Sequence, residues 1–228
     1  MIRDGRLMPT TAILYYITDR ALFPGNEHAR QQALLTRIRE AARFGVDFIQ
    51  LREKDLAGRE LERIAREALV AIRAAALPAS VPKLLINGRP DVALAVGADG
   101  VHLPAHDLSP AEIRMIWAHA SRDRSAIISA ACHSLEEVRA AADAGVDLAL
   151  FSPVFEKKDA PAVPAAGLEA LRKAGQAHVP VLALGGVTLD NARPCIAAGA
   201  AGIAAIRLFQ EGAIAATVRQ LRDSLRAR

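Results

Sequence analysis

Four segments of the chain repeat one pattern at intervals of about 50 residues. Each has an alanine-rich helical stretch, a glycine, a small or acidic pair and then an apolar strand. The last residue of the pair falls at Asp47, Asp99, Asp147 and Ala201. Between these segments lie four other short apolar runs, at residues 13–18, 83–87, 126–130 and 181–186. Runs of this length are typical of buried parallel strands, so the chain contains eight predicted strands.

Helical periodicity fills the gaps between the strands, most clearly at residues 29–44, 58–76, 134–144 and 189–198. Ser134, followed by Glu137, has the signature of a capping box, and Thr188 is a predicted N-cap. Eight strands that alternate with helices, without a linker-like break in composition, predict a single (β/α)8 TIM barrel domain over residues 1–228. The alternative is a doubly wound open sheet, but the G-x-G-x-x-G expected after its first strand is absent.

Composition excludes several classes of function. The net charge is +4 and aromatic residues make up 4% of the chain, without the basic stripe of a nucleic-acid surface. No apolar run reaches 18 residues, and the first ten residues lack the apolar core of a signal peptide, which predicts a cytoplasmic protein without a membrane partner. Cys132 and Cys195 lack metal-type spacing and are predicted to be buried free thiols rather than a disulfide. The sequence leaves a homo-oligomer open.

Polar side chains at the ends of the second and third strands predict an anion site, because barrel enzymes bind ligands at the C-terminal ends of their strands. The second strand ends in Gln50-Leu51-Arg52-Glu53-Lys54. Strand alternation places Gln50, Arg52 and Lys54 on one side, where an amide and two cations suit a phosphate or pyrophosphate. The third strand adds Asn87.

Histidines and an acid follow the fourth and fifth strands. His102 lies within the fourth strand and is predicted to be a core imidazole with a hydrogen-bond partner. Asp107, close behind it, is either a ligand for a divalent ion or a helix cap. His133 stands just before a capped helix and is the candidate for proton transfer, although it could also simply pack on the helix start.

Glycines after the seventh strand predict the second half of the anion site. Gly185 and Gly186 allow backbone N–H groups to approach a phosphate, and Ile206 and Arg207 follow the eighth strand. Barrels often bind phosphate with the loops after strands seven and eight. The predicted ligand is therefore a small phosphorylated molecule across the barrel mouth.

Several segments together resemble the thiamine phosphate synthase / TenI family over nearly the whole chain. They are YYITDR, FIQLREKDL, LLINGRPDVALAVGADGVHLP, HSLEEV and VPVLALGGVTLDNA. The resemblance implies one of two activities. Synthases join a pyrimidine pyrophosphate to a thiazole phosphate and expel pyrophosphate with the help of Mg²⁺. TenI-type tautomerases aromatise a carboxythiazole phosphate by moving a proton, without a metal.

The resemblance also implies residue roles. Gln50, Arg52, Lys54 and Asn87 would bind pyrophosphate in a synthase, and Asp107 would be a ligand of Mg²⁺. Gly186 would hold the thiazole phosphate in either activity. A lysine of the loop after the sixth strand, Lys158 or its neighbour Lys157, would also contact the substrate.

Three synthase features are missing from this chain. Gly88 stands where a synthase has the Asp of an Asn-Asp-Arg motif, Ala131 stands where it has a serine, and the loop PVFEKKDAPAVP contains no threonine. The sequence therefore favours an isomerase, a thiazole tautomerase with His133 as acid and base and no cofactor. The alternatives are a Mg²⁺-dependent synthase, a transferase, and a non-catalytic relative that binds a phosphorylated thiazole.

Overall fold

The fold is a closed barrel of eight parallel strands surrounded by helices. The computed structural model describes residues 2–3, 6–7, 11–77, 80–105, 108–120, 125–156 and 163–225. The strands are β1 (Ile2–Arg3), β2 (Arg6–Leu7), β3 (Ile13–Ile17), β4 (Phe48–Leu51), β5 (Lys83–Asn87), β6 (Gly100–Leu103), β7 (Ile127–Cys132), β8 (Leu148–Phe151), β9 (Val181–Ala183) and β10 (Gly202–Ala205). β1 and β2 pair as an antiparallel hairpin, and β3 to β10 close the barrel in chain order, with β10 beside β3. The predicted (β/α)8 barrel is confirmed.

A helix follows each barrel strand. The α-helices are α1 (Glu27–Phe44), α2 (Gly58–Ala75), α3 (Pro90–Val96), α4 (Pro110–Ala120), α5 (Leu135–Asp143), α6 (Gly167–Ala174), α7 (Leu189–Ala197), α8 (Arg207–Gln210) and α9 (Ile214–Ser224). The Ser134 side chain accepts the N–H of Glu137 at 3.1 Å and caps α5, as predicted. The predicted strand at 181–186 is too long, because Gly185 and Gly186 have φ angles of 91° and 66° that end the extended backbone.

Apolar residues form two cores on the two faces of the barrel wall. The inner core consists of side chains that alternate along the strands and point to the barrel axis, including Tyr15, Leu85, Leu150 and Leu182. The outer core lies between the wall and the helices. Cys132 and Cys195 are buried free thiols, as predicted. Within the part of the chain that the structure describes, no helix has the length and apolar character needed to cross a membrane.

The repeated aspartates of the sequence tie neighbouring strands together at the N-terminal end of the barrel. Each carboxylate precedes a strand and accepts the N–H of the second residue of the strand before it: Asp47 from Leu14 at 2.7 Å, Asp99 from Leu84 at 2.9 Å and Asp147 from Ile128 at 2.8 Å. These contacts lie at the end of the barrel opposite to the ligand-binding end of such folds. The repeat is therefore a structural device.

Two arginines reinforce two of these aspartates in the same manner. Arg222 of α9 donates to the carbonyls of Ala12 and Gly45 and to Asp47, at 2.6, 2.7 and 2.8 Å. Arg114 of α4 donates to the carbonyls of Ala126 and Gly145 and to Asp147, at 3.3, 2.7 and 3.2 Å. Each guanidinium thus joins one aspartate to two backbone carbonyls at this end of the barrel.

Candidate active site

Two side-chain amides meet at the C-terminal ends of β4 and β5. Gln50 is buried, with 1% of its surface exposed, and its Nε2 donates to Oδ1 of Asn87 at 2.8 Å. Asn87 is the last residue of β5 and is half-buried. The sequence predicted that these two residues converge, and the structure brings them into direct contact.

A buried polar chain extends from Gln50 into the barrel. The hydroxyl of Tyr15 donates to Oε1 of Gln50 at 3.1 Å and lies 3.0 Å from the hydroxyl of Ser129. Ser129 in turn lies 2.9 Å from Nδ1 of His102. Sequence reasoning placed His102 in the core but missed Tyr15 and Ser129. The signal available for both was a polar group at an inward-facing position of an apolar strand.

Burial keeps the members of this chain uncharged. Burial, with a smaller contribution from the positive charge of Arg52, lowers the pKa of His102 to about 3. Burial likewise raises the pKa of Tyr15, and the hydrogen bond from Ser129 opposes this rise. His102 is therefore a neutral imidazole at physiological pH, with a single ring proton.

β4 ends at Leu51, so Arg52 and Lys54 stand just beyond the strand, and the predicted alternation of their side chains stays a prediction. The N–H of Arg52 donates to Oγ1 of Thr18 at 3.0 Å, and its Nη1 lies 3.9 Å from Oδ2 of Asp19. Arg52 is half-buried and Lys54 is exposed. Both stand at the strand end, as predicted, whereas their contact with an anion stays a prediction.

Glu53, between these two cations, is buried in an ion-pair network with Arg20. Its carboxylate accepts from Thr18 Oγ1 at 2.5 Å and from the backbone N and Nη1 of Arg20 at 3.0 and 3.1 Å. Arg20 also forms a two-pronged pair with Asp55, both bonds at 2.7 Å. Burial raises the pKa of Glu53, while the hydrogen bonds from Arg20 lower the pKa of Asp55. Sequence reasoning missed Arg20, which holds the carboxylates of Glu53 and Asp55 on either side of Lys54.

His133 stands just after β7, exposed, with its ring orientation fixed. Its Nδ1 lies 2.8 Å from the carbonyl oxygen of Ser152, which can only accept, so Nδ1 carries the proton. Its backbone N–H donates to Oε2 of Glu137 at 2.6 Å. Nε2 is then the acceptor of the neutral ring, and it stands at the ligand-binding end of the barrel.

Gly186 allows the loops after β8 and β9 to touch. A Cβ at this position would lie 2.6 Å from the carbonyl oxygen of Glu156 and 2.7 Å from Cβ of Phe155. The N–H of Phe155 donates to the carbonyl of Gly185 at 3.0 Å. Close packing thus requires a glycine here, and the predicted phosphate contact of Gly185 and Gly186 remains a prediction.

Ile206 and Arg207 stand at the start of α8, where both are half-buried. Nε of Arg207 lies 3.4 Å from Oε1 of Glu211, one turn further along. The pair between Arg207 and Glu211 does not show whether Ile206 or Arg207 touches a phosphate, so that contact stays a prediction. Two other predicted site residues, Asp107 and Lys158, lie outside the described residues.

The described residues do not complete the Mg²⁺ site that the resemblance implies. No group of three or more His, Cys, Asp or Glu side chains in the described ranges could hold a metal ion. Position 88 is a glycine, with a φ angle of 61°. The next carboxylate along the chain, that of Asp91 in the first turn of α3, accepts hydrogen bonds from Nε and Nη2 of Arg89 at 2.8 and 2.6 Å. The carboxylate of Glu53 accepts hydrogen bonds from Arg20.

Comparisons with known proteins agree on one family. The profile of the thiamine monophosphate synthase family matches residues 14–209. A thiamine-phosphate synthase of Methanoculleus marisnigri is 41% identical over 94% of this chain and 95% of its own length. One from Syntrophomonas wolfei is 37% identical over 92% and 94%. The structure of a thiamine phosphate pyrophosphorylase from Pyrococcus furiosus superimposes with a TM-score of 0.76 and 32% identity, over 94% of this chain and 95% of that one.

The preference for an isomerase over a transferase is wrong. Relatives that match this chain over most of its length carry the name of the synthase, a transferase. The expectation rested on the side chain of position 88, that of position 131 and one loop. It gave too little weight to the similarity of the rest of the chain, which extends over 94% of its length in the Methanoculleus relative and 92% in the Syntrophomonas relative. The profile match over most of the barrel shows that this chain belongs to the thiamine phosphate synthase / TenI family.

Proposed function

We propose that this protein is a thiamine-phosphate synthase, a transferase that joins hydroxymethylpyrimidine pyrophosphate to a thiazole phosphate and releases pyrophosphate. The observation that carries the proposal is the contact between Gln50 and Asn87 at 2.8 Å, beside the Arg52 segment at the ends of β4 and β5. These are the residue types that hold a pyrophosphate in the family's synthases. The names of the relatives support the same reaction.

The two substrates would occupy opposite sides of the barrel mouth. The pyrophosphate would lie over β4 and β5, against the amides of Gln50 and Asn87 and the cations of Arg52 and Lys54. The thiazole phosphate would lie over the loops after β9 and β10, against the backbone of Gly185, Gly186, Ile206 and Arg207. Lys158 belongs to the loop after β8 and is proposed as a further cation.

The reaction forms a bond between the thiazole nitrogen and the methylene carbon of the pyrimidine. It breaks the bond between that carbon and a pyrophosphate oxygen, which leaves with the electron pair. Negative charge therefore develops on the leaving group, and fixed donors and cations around it lower the barrier. The thiazole nitrogen attacks with its lone pair, so no proton is removed from carbon. We accordingly propose that His133 binds substrate through Nε2.

A turnover assay tests the proposal. Purified protein is supplied with both substrates in parallel samples, one with Mg²⁺ and one without. Turnover in either sample should release pyrophosphate and form thiamine phosphate in equal amounts, and neither substrate alone should react. Arg52→Ala should lower kcat/KM by about 10²-fold, because a charged hydrogen bond to the leaving group contributes about 3 kcal/mol in the transition state.

Arg219→Ala is the matched control, since it removes one exposed arginine from α9 and changes the net charge equally. It should leave kcat/KM unchanged. Binding of both substrates without turnover under every Mg²⁺ condition would contradict the proposal and indicate a non-catalytic member of the family.

A further inference from the structure

A chain of polar side chains crosses the inner core of the barrel. Tyr15 and Ser129 are fully buried and His102 is 6% exposed, whereas their neighbours in this core include Ile17, Leu85 and other apolar residues. Polar groups in such surroundings cost free energy unless each one is hydrogen-bonded. The reaction proposed above takes place at the strand ends and gives these three residues no part in bond making or breaking.

Counting the available protons shows which group donates in each hydrogen bond of these polar side chains. Tyr15 donates its single hydroxyl proton to Oε1 of Gln50, so its oxygen must accept from Ser129. Ser129 then has no proton left and must accept from Nδ1 of His102. The donors are therefore, in order, Nδ1 of His102, the hydroxyls of Ser129 and Tyr15, and Nε2 of Gln50, and the last acceptor is Oδ1 of Asn87.

We propose that Tyr15, Ser129 and His102 are positioning residues, which hold the amides of Gln50 and Asn87 with N–H groups directed at the barrel mouth. The oxygen of each amide is occupied from within the barrel, at 3.1 Å for Gln50 and 2.8 Å for Asn87. Donors are thereby presented to a pyrophosphate, whose oxygens only accept. The ligand in this inference rests on the proposed function.

The opposite direction would reverse the recognition. A His102 protonated on Nε2 would accept from Ser129 at Nδ1, and the Gln50 amide would turn over. Asn87 would then direct its carbonyl oxygen at the ligand, where it would repel an anion. The tautomer of one buried imidazole thus decides whether the mouth offers donors or an acceptor.

The tautomer can be measured without substrate. In protein labelled with ¹⁵N-histidine, long-range ¹H–¹⁵N spectra distinguish a protonated Nδ1 from a protonated Nε2. The signals of His102 are identified as those that shift in Ser129→Ala, whose altered residue touches its ring. We expect the Nδ1–H form in the unaltered protein. The Nε2–H form would overturn the inference.

Binding of inorganic pyrophosphate, measured by titration calorimetry, tests the consequence. Tyr15→Phe should weaken the affinity about tenfold, which corresponds to about 1.4 kcal/mol. Tyr16→Phe is the matched control: Tyr16 is equally buried, but its hydroxyl donates to Gln210 on the outer side of the wall, at 3.2 Å. Equal affinities of the two variants would overturn the inference.

These two readouts separate the inference from the proposed function. Both use equilibrium measurements, so they stand even if the protein shows no turnover. Should Tyr15→Phe fail to fold, Ser129→Ala breaks the same chain one step deeper with a smaller change in volume, and the same weakening of pyrophosphate binding is expected. Full affinity in Ser129→Ala would again count against the inference.

Discussion

The contact between the loops after β8 and β9 predicts a specific loss of stability in Gly186→Ala. The φ angle of Gly186 is +66°, a conformation that costs an L-residue about 1–2 kcal/mol. The new Cβ would also lie 2.6 Å from the backbone oxygen of Glu156, so the loop must shift. Overpacking of this kind costs about 1–3 kcal/mol. We expect the free energy of unfolding to fall by about 2–5 kcal/mol.

Gly212→Ala separates the two contributions, because Gly212 also has a φ angle of +66° but nothing within 4 Å of its added Cβ. This variant should lose only the backbone contribution, about 1–2 kcal/mol. Urea denaturation of both variants measures the difference, and each kcal/mol should lower Tm by about 2–4 °C for a chain of this size. Equal losses in the two variants would refute the steric argument for Gly186.

Three further predictions concern pH, metal binding and the aspartate repeat. The pKa of His102 falls from 6.5 in the unfolded chain to about 3 in the folded protein. Its contribution to the free energy of unfolding is therefore complete above pH 6.5 and is lost as the pH falls towards 3, by about 1.4 kcal/mol per pH unit. Denaturant titrations of His102→Gln should show a shallower loss of stability below pH 6.5. Gly88→Asp should raise Mg²⁺ affinity in calorimetry, whereas Gly88→Ala, with the same backbone strain at φ 61°, should not; unchanged affinity in Gly88→Asp would contradict the placement of this position. Asp47→Ala leaves the buried N–H of Leu14 without its acceptor and should cost about 1–3 kcal/mol in urea denaturation, unlike Asp143→Ala on the exposed surface of α5; equal losses would contradict this role.

The aspartate repeat shows how far a pattern in the sequence can be interpreted. Its interval predicted the correct barrel, because each repeat marks the passage from a helix into a strand. The role of the carboxylates was not predictable, since the N–H that Asp47 accepts from belongs to Leu14, on the preceding strand. Only the register of two paired strands brings these groups together.

The candidate site likewise contains residues whose position was predictable from the sequence and residues whose partners were not. Gln50 and Asn87 were predictable because each ends a parallel strand, and the strand ends of a barrel share one rim. Strand alternation could not predict the partner of Glu53, because Arg20 lies 33 residues earlier in the chain, after β3. The environment of the Glu53 carboxylate is set by its burial beside the guanidinium of Arg20.

The eight strand–helix units, the closed barrel and the rim on which the polar residues stand were predictable from the order of the residues. They follow from local periodicity and from the geometry of parallel strands. Which polar groups touch inside the barrel became known only from the folded structure. Tyr15 and Ser129 are separated by 114 residues, yet their hydroxyls lie 3.0 Å apart. Such contacts depend on barrel closure and register, which bring together residues whose local sequences carry no record of one another.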